Sequence, residues 1–211
     1  MFITFEGIEG SGKSLQIGKA QAHLLRKGIE CLVTREPGGT DFGQALREVL
    51  LGTHGCHREP WCELLLFIAD RYQHLKEVIE PALRRGLVVL SDRYQDATRA
   101  YQGAARKIPQ PEIEKLTHLL GIIEPDKTIL LDLEPEEGLS RARMRNLASP
   151  SAAAEGRFEA EDMAFHKRVR EAYLKLAARF PQRIHIVRAS GTPDDVFSQI
   201  AHLLDAWVSP K

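Results

Sequence analysis

Along this chain, short apolar runs alternate with stretches in which apolar residues recur every three or four positions. Phe2–Phe5 reads as a strand, followed by a glycine-rich turn and an amphipathic stretch, Leu15–Lys27, with Gly28 where a helix C-cap belongs. Ile29–Thr34 is a second strand, and a turn at Pro37-Gly38-Gly39 leads into a helix over about Asp41–Leu51. Pro60 suits the first turn of a long helix running to about Arg85 and stopped by Gly86. Its core stripe is read as Leu64, Leu65, Ile68, Tyr72, Leu75 and Ile79. Leu87–Leu90 is continuously apolar, as expected of a strand covered on both faces, and Lys127–Leu133 and Arg183–Val187 resemble it. Strands separated by helices make βαβ units, so the pattern predicts a single doubly wound α/β domain over residues 1–211. Its architecture is three layers, α/β/α, around a five-stranded parallel sheet. Asn146–Gly156 has little to bury and reads as a mobile surface loop.

Composition narrows the function classes. The chain has 211 residues, 43% hydrophobic and 27% charged, the profile of an ordinary globular protein. Lys plus Arg and Asp plus Glu both number 29, so no overall field exists to hold nucleic acid or an anionic membrane, and any anion site must be local. The longest apolar run, Leu64–Ala69, is far below the roughly 18 residues a membrane span needs. The first residues carry no basic region or cleavage signature of a signal peptide. Three cysteines cannot make a paired framework and suit a reducing cytoplasm.

The strongest chemical signal is Gly7-Ile8-Glu9-Gly10-Ser11-Gly12-Lys13-Ser14, which fits G-x-x-x-x-G-K-[ST] between a strand and a helix. Glycines let backbone N–H groups turn toward phosphate oxygens, and the helix N-terminus adds its positive end. Lys13 can reach the β- and γ-phosphates and the Ser14 hydroxyl can ligate Mg²⁺, which marks a site for a nucleoside triphosphate with Mg²⁺. A metal-side carboxylate is expected just past a buried strand. Asp92 fills that place, followed directly by Arg93; Asp132 is the competitor, and a helix-capping role for Asp92 stays open.

A P-loop alone does not choose among GTPases, ATPase motors and small-molecule kinases. Asn146 is the only asparagine, so the Asn-Lys-x-Asp guanine signature is missing. Arginines beside turns are numerous instead: Arg35, Arg47, Arg71, Arg93 and the cluster Arg141, Arg143, Arg145. Their planar forks suit an acceptor that carries its own phosphate. Phe67 and Arg71 share a helix face with Glu63, so a ring and a guanidinium could stack a base and bond its edge. Equally, the ring could pack on the next helix with Arg71 paired to Asp70 or Glu63. Were 141–145 helical, Arg141 and Arg145 would share a face with Arg143 opposite, and a merely solvated cluster stays possible.

Taken in order, the segments Phe5–Ser14, Thr34–Thr40, Leu66–Arg71, Ser91–Tyr94, Ala100–Gly103, Arg141–Arg143 and Arg157–Glu159 resemble the bacterial thymidylate kinases over nearly the whole chain. The resemblance implies a P-loop fold with a mobile lid, here about residues 141–157, and transfer of the γ-phosphoryl group of ATP to dTMP. It implies that Phe67 stacks on thymine, Arg71 bonds its edge, and Thr98 and Gln102 lie near the base. Tyr101 would crowd a ribose hydroxyl at C2′. Arg93, Arg47 and Arg35 would hold the acceptor phosphate, and Glu9 would lie near the sugar 3′-hydroxyl. One branch of the family carries an arginine inside the P-loop; Gly10 stands there here, which assigns the transferring phosphate to the lid arginines, with Lys13 and Arg93. A homodimer is implied too. The alternatives are a kinase for another nucleoside monophosphate or a deoxynucleoside, or a non-catalytic ATP-dependent switch.

Two departures stand out. Leu15 replaces a hydroxyl residue usual after the P-loop, and His54, Cys56, His57 and Cys62 match no strong zinc spacing. The latter read as a surface loop with a buried Cys62.

Overall fold

The computed structural model describes residues 1–52, 57–148, 154 and 156–209. Strands β1 (Phe2–Glu6), β2 (Cys31–Arg35), β3 (Val88–Asp92), β4 (Lys127–Asp132) and β5 (Ile184–Arg188) form one parallel sheet in the order β2-β3-β1-β4-β5. All five predicted strands are present, displaced by a residue or two. β1 and β3 lie side by side with Phe5 opposite Asp92, which brings the P-loop, Asp92 and Arg93 together at the carboxyl ends of the strands. Crevices at that edge are where open α/β sheets bind ligands.

Burial explains the layering. Val88, Val89, Leu90 and Ser91 are all buried, as a doubly covered parallel strand requires. Alternate residues feed two cores: Ile3, Phe5, Val88 and Leu90 enter one, Phe2 and Val89 the other. Helix α1 (Lys13–Arg26) adds Ile17, Ala20 and Leu24 to the first, whereas α3 (Pro60–His74) adds Leu64 and Ile68 to the second. Gly28, at φ 74°, ends α1: its N–H reaches Leu25 O and that of Ile29 reaches Leu24 O, a Schellman closure. Ile29 is thereby spent on the cap, which is why β2 starts later than predicted.

Helix α2 (Asp41–Leu51) matches its prediction and is capped by the Thr40 hydroxyl, which accepts from Gly43 N at 2.9 Å. The long helix does not run unbroken. α3 passes into a π-turn at Leu75–Ile79 before α4 (Glu80–Arg84). Leu64, Ile68, Leu75 and Ile79 are buried, but Leu65 and Tyr72 are 52% and 40% exposed, so those two do not belong to the core stripe. A second π-turn, Arg99–Ala105, follows the short α5 (Gln95–Thr98). Such turns cluster at functional sites, and this one carries Tyr101 and Gln102. Next come α6 (Gln110–Leu119), α7 (Pro135–Ala148), α8 (Met163–Arg179) and α9 (Pro193–Trp207). No helix among the described residues is long and apolar enough to cross a membrane.

Candidate active site

The P-loop joins β1 to α1, and Lys13 folds back into it. Its Nζ donates to Gly7 O at 3.1 Å and Ile8 O at 2.9 Å, so the loop's own carbonyls hold the ammonium. Burial lowers the Lys13 pKa to about 8, with Arg93 adding to the effect and Asp92, Glu9 and Glu6 opposing it. Ser14 Oγ donates to Asp92 Oδ2 at 2.8 Å. The competitor Asp132 is taken: Arg170 grips it at 2.7 and 3.1 Å. Gly10 lies against the start of α7. A Cβ on Gly10 would come within 2.0 Å of Gly138 O, and a Cβ on Gly138 within 2.5 Å of Glu9 O.

Arg93, at φ 70°, turns its guanidinium between elements. It donates to Glu9 Oε1 at 3.0 Å, Tyr101 Oη at 3.1 Å and Tyr173 Oη at 3.3 Å. Tyr101 Oη donates to the same Glu9 oxygen at 2.6 Å, and Tyr173 Oη donates to Glu6 at 2.7 Å. Burial would raise the Glu9 carboxyl, but the imidazole of His166, then the Arg93 and Lys13 charges and the Tyr101 hydroxyl, hold it well below the usual carboxylate range. Glu6 goes the other way: burial, reinforced by Asp96, pushes it up to about 7, against Arg93, Tyr173 and the Tyr94 N–H.

Arg71 is fully buried and paired, although neither with Asp70 nor with Glu63. Its Nε donates to Glu36 Oε2 at 2.8 Å, Nη1 to the Thr98 hydroxyl at 2.8 Å and Nη2 to Tyr94 O at 2.9 Å. Glu36, just before the Pro37 turn, also meets His74 Nδ1 at 2.9 Å. Burial and the nearby Glu36 raise Asp70 to about 6 while it accepts from Gly38 N at 3.0 Å. Glu63 is instead the acceptor for Gln102 at 2.8 Å, for Arg106 at 3.3 Å and for Arg157. Phe67 does not reach across to a neighbouring helix alone; its ring faces Phe158 at 6.2 Å, and Phe158 meets the edge of Tyr101 at 5.4 Å.

A cavity of about 510 Å³ joins these groups, within the usual size of a small-molecule site. Lys13, Ser14, Asp92, Arg93, Arg141 and Arg145 line it. Phe67, Arg71, Thr98, Tyr101, Gln102 and Phe158 line it too, as do Arg35 and Arg47. Arg47 donates to Pro37 O at 2.8 Å and Arg35 to Gln44 at 3.5 Å. On α7, Arg141 rests on Glu137 at 2.6 Å and Ala189 O at 3.1 Å, while Arg145 is held by Glu159. Arg143 is exposed on the other side, as the helical spacing predicts. Cys62 is exposed rather than buried, because it lies on the outer face of the first turn of α3. His57 is exposed near Glu59, and His54, Cys56 and residues 149–153 and 155 lie outside the described residues. The loop expected over Asn146–Gly156 starts later than that, because Asn146–Ala148 continue α7.

Sequence reading missed Glu36, Phe158, His166 and Tyr173 as part of this constellation. His166 and Tyr173 are seven apart on α8, two polar-tipped residues on a face otherwise built of Phe165, Val169 and Ala172. That breach of an apolar stripe was the available signal.

Residues 5–200 match the family model for thymidylate kinase. The chain belongs to the thymidylate kinase family. It is 50% identical over 210 residues to the thymidylate kinase of Nitratidesulfovibrio vulgaris (strain DSM 19637 / Miyazaki F), covering 99% of this chain and 98% of the relative. It is 48% identical over 201 residues to that of Oleidesulfovibrio alaskensis, with 95% of each covered. The crystal structure of thymidylate kinase from Ehrlichia chaffeensis superposes with a TM-score of 0.77 at 30% identity, covering 97% of this chain and 98% of that one. The family fold, a five-stranded parallel sheet flanked by helices behind a P-loop, is the one described above.

Proposed function

We propose that this enzyme transfers the γ-phosphoryl group of ATP to dTMP, giving dTDP and ADP for dTTP synthesis. The observation that carries the reading is one cavity lined both by the phosphate cradle, Lys13 and Ser14, and by an aromatic and guanidinium wall, Phe67 and Arg71. Two anionic nucleotides can therefore meet end to end within a single site.

The residues divide the work. The amides of Gly7, Ile8, Glu9, Gly10, Ser11 and Gly12 cradle the donor phosphates, and Lys13 leaves its carbonyl partners for the β- and γ-oxygens. The paired Ser14 hydroxyl and Asp92 carboxylate fit a hard, oxygen-seeking cation at the mouth of the cradle. Mg²⁺ bound there would neutralise phosphate charge. Phe67 supplies a stacking face for the base, and Arg71, with three of its five N–H groups engaged, keeps others for a base carbonyl. Thr98 and Gln102 flank it. Tyr101 and Glu9 face the sugar, and Arg93, Arg47 and Arg35 draw in the acceptor phosphate.

An acceptor phosphate oxygen attacks the γ-phosphorus, the bond to the β,γ-bridging oxygen breaks, and ADP leaves with that electron pair. Positioning and charge neutralisation supply the catalysis. Arg141 and Arg145, parked on Glu137 and Glu159, swing onto the transferring group as the lid over about 141–157 closes and excludes water.

We further propose a cytoplasmic homodimer. Phe42 and Val49 on α2 and Trp61, Leu65 and Tyr72 on α3 are exposed apolar side chains on helices that pack together, the kind of face a partner subunit covers. ADP release measured with ATP and each of dTMP, dUMP, dCMP, dGMP and thymidine tests the function. The expected result is turnover with dTMP well above the rest; no ADP release with any acceptor overturns it.

A further inference from the structure

Among the buried polar side-chain atoms left without a hydrogen bond in the described residues, two face each other across the site: one from Glu9, the other from His166, which the reading above gives no role. His166 is 1% exposed and neither ring nitrogen has a hydrogen-bond partner; Glu9 Oε2 is equally buried and equally without one. His166 Nδ1 lies 3.4 Å from that oxygen. Buried polar atoms normally find partners, so an orphan donor and an orphan acceptor at this separation need an explanation.

We infer that His166 is a positioning residue that holds the second oxygen of Glu9, through an Nδ1–H···Oε2 bond that shortens when the substrates bind. The inference rests on the kinase reading above. Three features support it. An ionised carboxylate opposite Nδ1 selects the tautomer with its proton on that nitrogen, because the alternative sets a lone pair against a negative charge. Next, Glu9 has its other oxygen, Oε1, committed to Tyr101 and Arg93. When Arg93 turns to an acceptor phosphate, Oε1 keeps the Tyr101 bond and gains room for a sugar hydroxyl, and His166 is the group placed to hold the other oxygen. Finally, His166 lies in the first turn of α8, and the Asp162 side chain fixes that turn by accepting from Phe165 N at 2.6 Å. Hydrogen bonds of this kind are often long in the unliganded state and tighten in the reacting complex.

The choice of replacements gives a test that a purely structural role would not satisfy. An asparagine amide places its nitrogen near the Nδ1 position of histidine, whereas glutamine places its nitrogen near Nε2. The wild-type enzyme is first assayed for ADP release with ATP and dTMP; failure at this step removes the kinase reading itself. Given activity, His166→Phe is expected to lower kcat/KM for dTMP by about tenfold or more, since small misplacements of a reacting geometry are costly. KM for ATP should stay within about twofold. His166→Asn should recover most of the loss and His166→Gln should not. In a Glu9→Gln background the His166→Phe loss should shrink to less than about twofold, the signature of two groups acting through one contact. The inference is overturned by an undiminished loss in that background, by Asn performing no better than Gln, or by wild-type kinetics in His166→Phe. If the phenylalanine variant fails to fold, the contrast between Asn and Gln decides.

Discussion

Replacing Arg71 with alanine separates two roles that the structure superimposes on one side chain. The guanidinium faces the cavity, yet it also neutralises Glu36, whose carboxylate is 2% exposed. Removing it leaves that charge buried beside His74 and near the Asp70 carboxyl. Breaking one partner from a buried ion pair costs about 3–5 kcal/mol, most of it from the charge left behind. For a domain of this size each kcal/mol lowers Tm by about 2–4 °C, so Arg71→Ala should melt roughly 10 °C below wild type. Its dTMP affinity should fall while ATP affinity holds. Adding Glu36→Gln removes the stranded charge, so the double variant should regain about half of the lost Tm. It should regain none of the dTMP affinity. Scanning calorimetry and titration calorimetry with each nucleotide read the two quantities separately. Additive thermal losses in the double variant would refute the ion-pair reasoning, and equal losses of dTMP and ATP affinity would place the base elsewhere.

The remaining predictions concern the lid, two buried groups and the outer face. Arg141→Ala with Arg145→Ala should cut kcat by at least about 100-fold, the scale of arginines acting on a transferring phosphoryl group, and unaltered turnover in a steady-state assay would make the pair passive. Lys13 is needed charged and its pKa is lowered to about 8. The value of kcat/KM for ATP, which reports the free enzyme, should therefore fall above that pH, and a profile flat to about pH 9.5 would contradict this. Glu6 is raised from 4.5 to about 7, so its contribution to stability is complete below pH 4.5 and is lost as pH rises toward 7. Glu6→Gln escapes that loss, and denaturation at about pH 4 and pH 8 should show the variant gaining about 3 kcal/mol relative to wild type, whereas a constant difference would refute it. Leu65→Glu should halve the mass measured by light scattering; a wild-type monomer, or a variant that stays dimeric, would show that α3 does not make the interface.

The periodicity of the chain carried much of this architecture. Doubly covered strands announce themselves as unbroken apolar runs, and Thr40 and Gly28 mark helix ends through local chemistry that acts within a few residues. The P-loop was legible for the same reason: its function lies in consecutive backbone groups. What periodicity cannot supply is the identity of the group across a contact. Arg71 and Glu36 are 35 positions apart, and Glu63 meets Arg106 and Arg157 from 43 and 94 positions away, so helix-face arithmetic paired the wrong neighbours. The π-turn at Leu75–Ile79 also shifts the register that a 3.6-residue period assumes. Leu65 and Tyr72 look like core residues for a different reason: an apolar side chain reads the same in sequence whether it is buried or, as here, exposed.

The mutual pressure of Gly10 and Gly138 has an evolutionary implication. Any side chain introduced at either position collides with main-chain atoms of the other's segment, so a cationic residue cannot be moved from the seventh helix into the nucleotide loop by one substitution. The loop and that helix would have to separate first, which would move Arg141 and Arg145 relative to the cavity they line. Two missing methyl groups thus tie the sequence of the nucleotide loop to the backbone path of the neighbouring helix.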